Sequence, residues 1–351
     1  MQLLIVGASP LAAFLSAAST FLKQPGWSSL WLTNRLTLDT IQQHGGLHVL
    51  WAGGRRVALN LNATASLDDA FAATDRFDAV LFAMPGYDGA RLLFEMRQRV
   101  SQPPPIVILQ TGIGNTERVE SVYGPGSVLR GALSVTIAYP TLPDGQPARE
   151  TVVVHPSGGV ALAEDHPLSQ PIAAFLSAAG LPVTLGPGRD LQWSALLWQL
   201  YANAIPALVD LPFADVRRSR ALFALEYRQL IEALGVIQKL GVRLIDLPGA
   251  PINRLATQLQ TLPPSLLASQ LIFKPDPPGF RSELWRGVGG SEAAYLNGAV
   301  AVHAQDLHLH TPVNHALALT LQDIAERRAL WSQFRGQPAM LEAIVRVAAP
   351  R

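Results

Sequence analysis

An α/β fold, with a doubly wound parallel sheet in the first half and an all-helical second half, is predicted by three observations. Apolar runs of strand length alternate with helical patterns through residue 110. The first strand passes through a glycine turn straight into a helix. Beyond about Asp190 only helical periodicity remains.

The elements follow in order. Residues 1–6 form an apolar strand that turns at Gly7-Ala8-Ser9-Pro10, and 11–22 has helical spacing. Residues 29–33 read as a second buried strand ending at Asn34-Arg35, and helical periodicity returns over 36–44. A strand over 77–83 is followed by a helix over 87–100, and a strand over 105–110 closes on Thr111-Gly112-Ile113-Gly114. Between 128 and 162 the pattern is strand-like with Gly and Pro turns. Its segments 133–138 and 151–155 are expected to extend the sheet with antiparallel strands. Helices are predicted over 191–209, 221–240 and 292–303. The turn Gly186-Pro187-Gly188 divides a sheet domain, 1–188, from a helical substrate or dimerisation domain, 189–351.

Composition narrows the partners. A chain of 351 residues, 49% hydrophobic, can bury a large core, and a net charge of +1 carries no footprint for nucleic acid or a membrane surface. With no cysteine, disulfides and thiolate chemistry are excluded. The first strand starts right after Met1, leaving no room for a signal segment, and no apolar stretch is long enough to span a bilayer. A soluble cytoplasmic protein acting on a small molecule is expected.

The opening turn is a degenerate dinucleotide-binding motif. G-x-G-x-x-G uses its glycines for the tight turn, for backbone approach to a pyrophosphate and for helix packing; here Gly7 remains, with Ser9 and Ala12 as small substitutes. An ordinary first βα unit would look similar. Arg35 stands just past the second strand, where NADP-specific proteins place an arginine for the 2′-phosphate, although a solvated loop arginine is the plain alternative. Residues 109–114 form either a strand end at a cofactor crevice or a tight structural loop. His303, His308, His310 and His315 lie close in sequence, but there is no HExxH spacing and Thr311-Pro312 breaks any helix carrying all four, so no metal is expected. Ser9 lacks the second glycine of a G-x-S-x-G nucleophile elbow.

Taken together, Gly7-Ala8-Ser9, Arg35, residues 109–114, the helix from Trp193, the run from Ser291 through Asn297-Gly298, and Thr311-Pro312-Val313-Asn314 resemble the ketopantoate reductase family over nearly the whole chain. That resemblance implies a Rossmann-type N-terminal domain binding NADPH, a helical C-terminal domain, hydride transfer and, at the level of the family, a homodimer. Carried over by position, it implies cofactor contacts at Gly7, Ser9, Pro10, Leu11, Ala12, Arg35, Met84, Gln110, Thr111, Gly112, Ala138 and Glu292. It implies substrate contacts at Gln199, Asn203 and Ser282, the serine standing two residues nearer Glu292 than in the family pattern.

The departures are informative. The family's Gln-Asn-Gly reads Gln110-Thr111-Gly112, a family lysine falls on Pro85, and the proton-donating lysine of the Trp-x-Lys helix is Ala195. Gln199 and Asn203 keep the amide positions, four residues apart and expected on one helix face. A ketone taking hydride needs a proton donor at its oxygen, a contribution of about 10² to 10⁴ in rate, and alanine has none to give. An imine nitrogen is basic enough to arrive protonated. The pattern therefore resembles the thiazolinyl imine reductases of siderophore biosynthesis, acting on a free or carrier-protein-tethered substrate, with Asn203, Tyr201, Glu292 or water completing protonation. Trp193, Trp198, Tyr201 and Trp285 are either core residues or walls for an aromatic substrate. The alternatives are a 2-oxo acid or ketone reductase with a relocated acid, and a non-catalytic NADPH-binding protein.

Overall fold

The computed structural model describes residues 1–22, 26–51, 54, 56–74, 76–100, 103–140, 142, 146–155, 157–271, 279–287 and 289–348. The chain forms two compact units. One comprises Met1–Gln110, Asn115–Leu191 and Leu247–Gly249; the other comprises Thr111–Gly114, Gln192–Asp246 and Ala250–Arg351.

The first unit runs β1 (Gln2–Val6), α1 (Pro10–Leu22), β2 (Ser28–Leu32), α2 (Arg35–Gln43), β3 (Leu47–Trp51), β4 (Arg56–Leu59), β5 (Ala63–Thr64), α3 (Leu67–Ala72), β6 (Ala79–Phe82), α4 (Gly86–Arg99) and β7 (Ile106–Ile108). It continues through α5 (Asn115–Tyr123), β8 (Val128–Leu133), β9 (Ile137–Ala138), β10 (Thr151–Val154), β11 (Val160–Ala163), α6 (Ser169–Ala178) and β12 (Val183–Gly186). Eight strands form one sheet in the order β12-β11-β8-β7-β6-β1-β2-β5, parallel at every pairing except β8 with β11.

Alternation along the strands explains the two covered faces. Leu3, Ile5, Trp31, Leu81, Val107 and Leu129 point to one side, where they cluster with Phe14 of α1 and Phe175 of α6. Leu4, Val6, Leu32, Phe82 and Ile108 point to the other, with Leu93 and Met96 of α4 and Val119 of α5. Strands buried on both faces read as continuous apolar runs, which is why they were legible. Strand order reverses between β1 and β6, so the ends of these two strands mark the topological switch point.

The expected antiparallel extension forms only in part. Ser134 and Val135 both turn their N–H groups to the Gly159 carbonyl, ending the ladder after β8. Residues 137–138 and 151–154 instead join a separate four-stranded sheet, β4-β3-β10-β9, which packs on α1 and sets Trp51 edge-on to Phe14 at 6.3 Å.

The second unit holds most of α7 (Gly188–Leu200), then α8 (Ala204–Val209), α9 (Phe213–Arg218), α10 (Arg220–Lys239), α11 (Ile252–Thr261), α12 (Pro264–Gln270), α13 (Gly279–Arg286), α14 (Asn297–Asp306), α15 (Pro312–Ala325) and α16 (Pro338–Ala348). Helix α10 is its axis, packing against α8, α9, α11, α12, α14, α15 and α16. Two predicted helices are broken. The one over 191–209 ends at Leu200 and restarts at Ala204, because Pro206 cannot donate to the carbonyl four residues back, and Ala202 takes a left-handed φ of 58°. The one over 292–303 is a short 3-10 turn, Glu292–Ala294, followed by α14. Among the described residues no helix is long and apolar enough to cross a membrane.

Two phenylalanines test this layering. Phe14→Ala, emptying a fully buried site under the sheet, is expected to cost about 3–5 kcal/mol in denaturant unfolding. Phe94→Ala, on the exposed side of α4, should stay within about 0.5 kcal/mol of the parent.

Candidate functional site

In the sheet unit the site is built on bare backbone. Gly7 has a φ of 133°, and a β-carbon there would run into the Ala83 carbonyl and stand 2.9 Å from Met84 Cβ. Only glycine lets β1 end this close to the end of β6. The turn is tied at successive points. Gly7 N–H donates to the Leu32 carbonyl at 3.0 Å, Trp31 Nε1 donates to the Gly7 carbonyl at 2.7 Å, and the Tyr139 hydroxyl donates to the Ala8 carbonyl at 3.2 Å. Ser9 Oγ donates to the Ala83 carbonyl and accepts from Ala12 N–H at 3.1 Å, capping α1. Pro10 opens the helix, while Leu11 and Ala12 are buried beneath it. Among the described residues, the N–H groups of Ala8, Ser9 and Leu11 meet no acceptor. Three donors at the N-terminus of a 13-residue helix suit an anion.

The neighbouring candidates have definite positions. Gln110 is buried and spends its amide on the Met84 and Pro85 carbonyls, at 3.0 and 3.2 Å. It ties the end of β7 to the end of β6. Ala138 lies in the second sheet, paired with Val153, and its neighbour Tyr139 makes the contact with the turn. Arg35 is the first residue of α2, behind Asn34, whose side chain accepts from Thr37 N–H at 2.8 Å. Its exposed guanidinium pairs with Asp39 one turn on, at 3.0 Å.

In the helical unit, Asn203 is not on a helix face shared with Gln199, because the helix has ended. Its Nδ2 donates to the Gln199 carbonyl at 3.0 Å and its Oδ1 accepts from Phe280 N–H at 3.1 Å, at the start of α13. Ala195 is buried on α7. Tyr201 is fully buried, edge-on to Phe213 at 5.1 Å, and burial, with the Glu226 charge nearby, pushes its phenol up, which makes it a reluctant proton donor. Ser282 lies part-buried on α13, its carbonyl accepting from Arg286. Of the aromatic candidates, Trp193 and Trp198 are buried, Trp193 lying against His303 at 5.0 Å. Trp285 is half exposed, with Arg335 over its ring.

A buried polar chain supports this region. Glu226 of α10 accepts from Ala202 N–H at 2.7 Å and from Gln229 Nε2 at 2.8 Å. Asn297 Nδ2 donates to Gln229 Oε1 at 3.1 Å and to Asn314 Oδ1 at 2.9 Å. Asn314 Nδ2 reaches Glu232, which also accepts from the N–H groups of Val313 and Asn314 and so caps α15. Burial raises the Glu232 pKa against those hydrogen bonds.

The other constellation of this unit pairs two buried carboxyls. Glu283 of α13 accepts from Ser291 Oγ at 3.0 Å and from Glu292 N–H at 3.3 Å to each oxygen. Glu292 in turn accepts from the Thr111 hydroxyl. Gly112 has a φ of 80°, and a β-carbon there would strike Tyr295, whose carbonyl accepts from Ile113 N–H at 2.9 Å. Thr111 and Gly112 are thereby fixed to the Glu292 turn. Burial, followed by the Glu292 charge, pushes Glu283 up to about 8.

Sequence reasoning missed Trp31, Tyr139, Glu226, Gln229 and Glu283. The i, i+3 pair Glu226 and Gln229 did leave a signal, interrupting the apolar stripe of α10 between Leu222 and Ala233. The other three carry none. Among the described residues no group of three or more His, Asp or Glu is placed to hold a metal.

A family model described as Ketopantoate reductase PanE/ApbA matches residues 4–140, and its C-terminal counterpart matches 189–325. No curated protein matches the sequence significantly. Among solved structures, a PanE/ApbA family ketopantoate reductase from Ralstonia eutropha JMP134 is 20% identical with a TM-score of 0.73, covering 93% of this chain and 99% of that one. A 2-dehydropantoate 2-reductase from Geobacter metallireducens GS-15 is 18% identical, TM-score 0.72, covering 93% and 100%. A ternary complex of D-mandelate dehydrogenase with NADH and anilino(oxo)acetate is 15% identical, TM-score 0.70, covering 93% and 99%. At these identities the likeness to the solved structures is one of fold.

The Glu283 carboxyl gives a stability test. Its pKa is raised on folding, so the folded protein binds the extra proton between about pH 4.5 and 8 and loses stability as pH rises through that window. Thermal unfolding across pH 5 to 9 should show a falling midpoint, and Glu283→Gln should make the fall shallower, leaving the part due to Glu232.

Proposed function

The chain belongs to the ketopantoate reductase PanE/ApbA family, and on that premise we propose that it is an NADPH-dependent reductase of a C=N bond, a cyclic thiazolinyl imine of siderophore biosynthesis. The observation that carries the substrate class is Ala195, where the family resemblance calls for the proton-donating lysine.

The residues present fit a dinucleotide. A pyrophosphate would take the free N–H groups of Ala8, Ser9 and Leu11, in a turn that only glycine at position 7 lets approach the end of β6, and a 2′-phosphate would take Arg35 in exchange for Asp39. Bound there, the dihydronicotinamide supplies hydride. By the family resemblance, Thr111 and Glu292, hydrogen-bonded to one another, stand at positions that contact the cofactor, with the Thr111 hydroxyl in place of the family's asparagine.

On the substrate side, a methyl group at 195 leaves an iminium unopposed by a lysine cation and gives a ketone no proton. Hydride transfer to a protonated imine leaves a neutral amine, so no general acid is required in that step. Asn203 has its amide committed to the Gln199 carbonyl and Phe280 N–H, and acts by holding the start of α13 rather than as an acid. Ser282 and the half-exposed Trp285 on that helix are the candidates for contact with an aryl-thiazoline substrate, free or tethered to a carrier protein.

NADPH oxidation followed by absorbance separates the readings. Turnover with a thiazolinyl substrate and none with ketopantoate is expected; the reverse result sinks the imine reading in favour of a ketone reductase. Tight NADPH binding without turnover of any C=N or C=O substrate indicates a non-catalytic protein. Arg35→Ala should lose about tenfold or more of the preference for NADPH over NADH, by titration of both cofactors, since one charge-assisted contact to phosphate is removed. An unchanged preference rules out Arg35 as the 2′-phosphate contact.

A further inference from the structure

Two arginines of the helical unit converge on one carboxylate. Asp210 follows α8 with a left-handed φ of 56°. Arg281 of α13 brings Nε and Nη2 to its Oδ1, both at 2.9 Å, and Arg335 brings Nε and Nη2 to its Oδ2, at 3.0 and 2.8 Å. The Asp210 side chain is 12% exposed, against 37% for Arg281 and 43% for Arg335. The anion is therefore covered and the two cations remain open to solvent.

The second arginine exceeds what the fold requires. Arg281 already pins α13 to the end of α8. The segment that carries Arg335 is held without it, since Trp331 Nε1 donates to the Ala207 and Leu208 carbonyls and Gly336 N–H donates to the Val209 carbonyl at 2.9 Å. Two cations on one anion leave one positive charge over. Among the described residues no other acid reaches either arginine: Asp215 pairs with Arg218, and Asp323 and Glu326 pair with Arg328. Both arginines spend Nε and Nη2 on Asp210, and Nη1 of each meets no acceptor among the described residues.

The open cation is also fixed in place. The Arg335 guanidinium lies over the rings of Trp285 and Trp331, 4.9 and 4.7 Å from their centroids, and the two indoles meet edge to face at 5.3 Å. A guanidinium ordered in advance binds an oxyanion without the entropy cost of arresting a free side chain. Trp285, half exposed beside it, offers an aromatic surface to whatever carries the anion.

We propose that Arg281 and Arg335 form a binding site for an oxyanion, a carboxylate or a phosphate, carried on an aryl body that packs on Trp285. The planar fork of a guanidinium matches either group. Every residue of the site belongs to the helical unit, so the site stands apart from the cofactor reading and from the C=N reading.

The test is calorimetric titration with benzoate, phenyl phosphate, inorganic phosphate and benzamide, the neutral counterpart of benzoate. Wild type should bind benzoate or phenyl phosphate with a Kd of about 1 mM, as suits a small ligand. Benzamide should bind about tenfold or more weaker. The tighter anion identifies the group as carboxylate or phosphate. Raising NaCl to about 0.5 M should weaken both anions and leave benzamide unchanged. Arg281→Met and Arg335→Met each leave Asp210 one partner and no excess charge, and each should weaken the anion by about tenfold or more. Trp285→Ala should bring the aryl anion down to the affinity of inorganic phosphate. In wild type, benzoate should shift the indole N–H resonances of Trp285 and Trp331 first, a result that needs no variant to fold beyond Trp285→Phe for assignment. Absence of binding by either anion up to about 50 mM, benzamide binding as tightly as benzoate, or unchanged anion affinity in either folded arginine variant overturns the proposal. None of these results bears on the cofactor reading, which the NADPH titration tests separately.

Discussion

The close approach of Gly7 to the Ala83 carbonyl is the constraint on which the sheet unit depends. Strands β1 and β6 can stay side by side to their ends at the switch point only if the residue between β1 and α1 has no side chain, since any β-carbon would strike the Ala83 carbonyl. Once that approach is granted, the other contacts follow. Ser9 is brought within reach of the Ala83 carbonyl, Trp31 reaches back from β2, and α1 begins at Pro10. Two of the three glycines in the usual fingerprint are dispensable here because Ser9 substitutes a hydrogen bond for closeness and Ala12 is small enough to bury completely.

The helical unit relies on a different economy. Its axis, α10, buries a glutamate and a glutamine on an otherwise apolar face, and both are satisfied by groups in a broken helix or at a helix start. A buried carboxylate that accepts a backbone N–H stabilises one arrangement of the surrounding helices more than it stabilises folding as such, because the cost of its desolvation largely offsets the hydrogen bonds it gains. Glu232 acts similarly at α15. Such groups account for the irregular connections, at Ala202 and before Asn314, that periodicity alone does not forecast.

How much of this was legible depended on how far apart in sequence the interacting groups lie. Strands β1, β2, β6 and β7 were read because both their faces are buried and their apolar runs are unbroken. Strands β3 and β4 escaped notice because they are half-exposed and include His48 and Arg56, and β5 because it is only two residues long. The break between α7 and α8 had one local cue, Pro206, outweighed by the apolar residues on either side. Gly7 and Ser9 were singled out from the local turn pattern and Gln110 from the family resemblance, but the use made of Gln110, a tie between two carbonyls, is a tertiary fact. Glu283 was invisible for the same reason: nothing in Arg281-Ser282-Glu283-Leu284 marks an acid that will meet the N–H of a residue nine positions on.

The left-handed residue Ala202 stands in the break between α7 and α8. Because Glu226 holds the break from α10, the end of α7 is tied without a hydrogen bond from the side chain at 195, a buried methyl group. The hydrogen bond that makes the break does not depend on which side chain stands at that position. The break, Asn203 and the start of α13 that it holds are thus specified apart from the residue at 195.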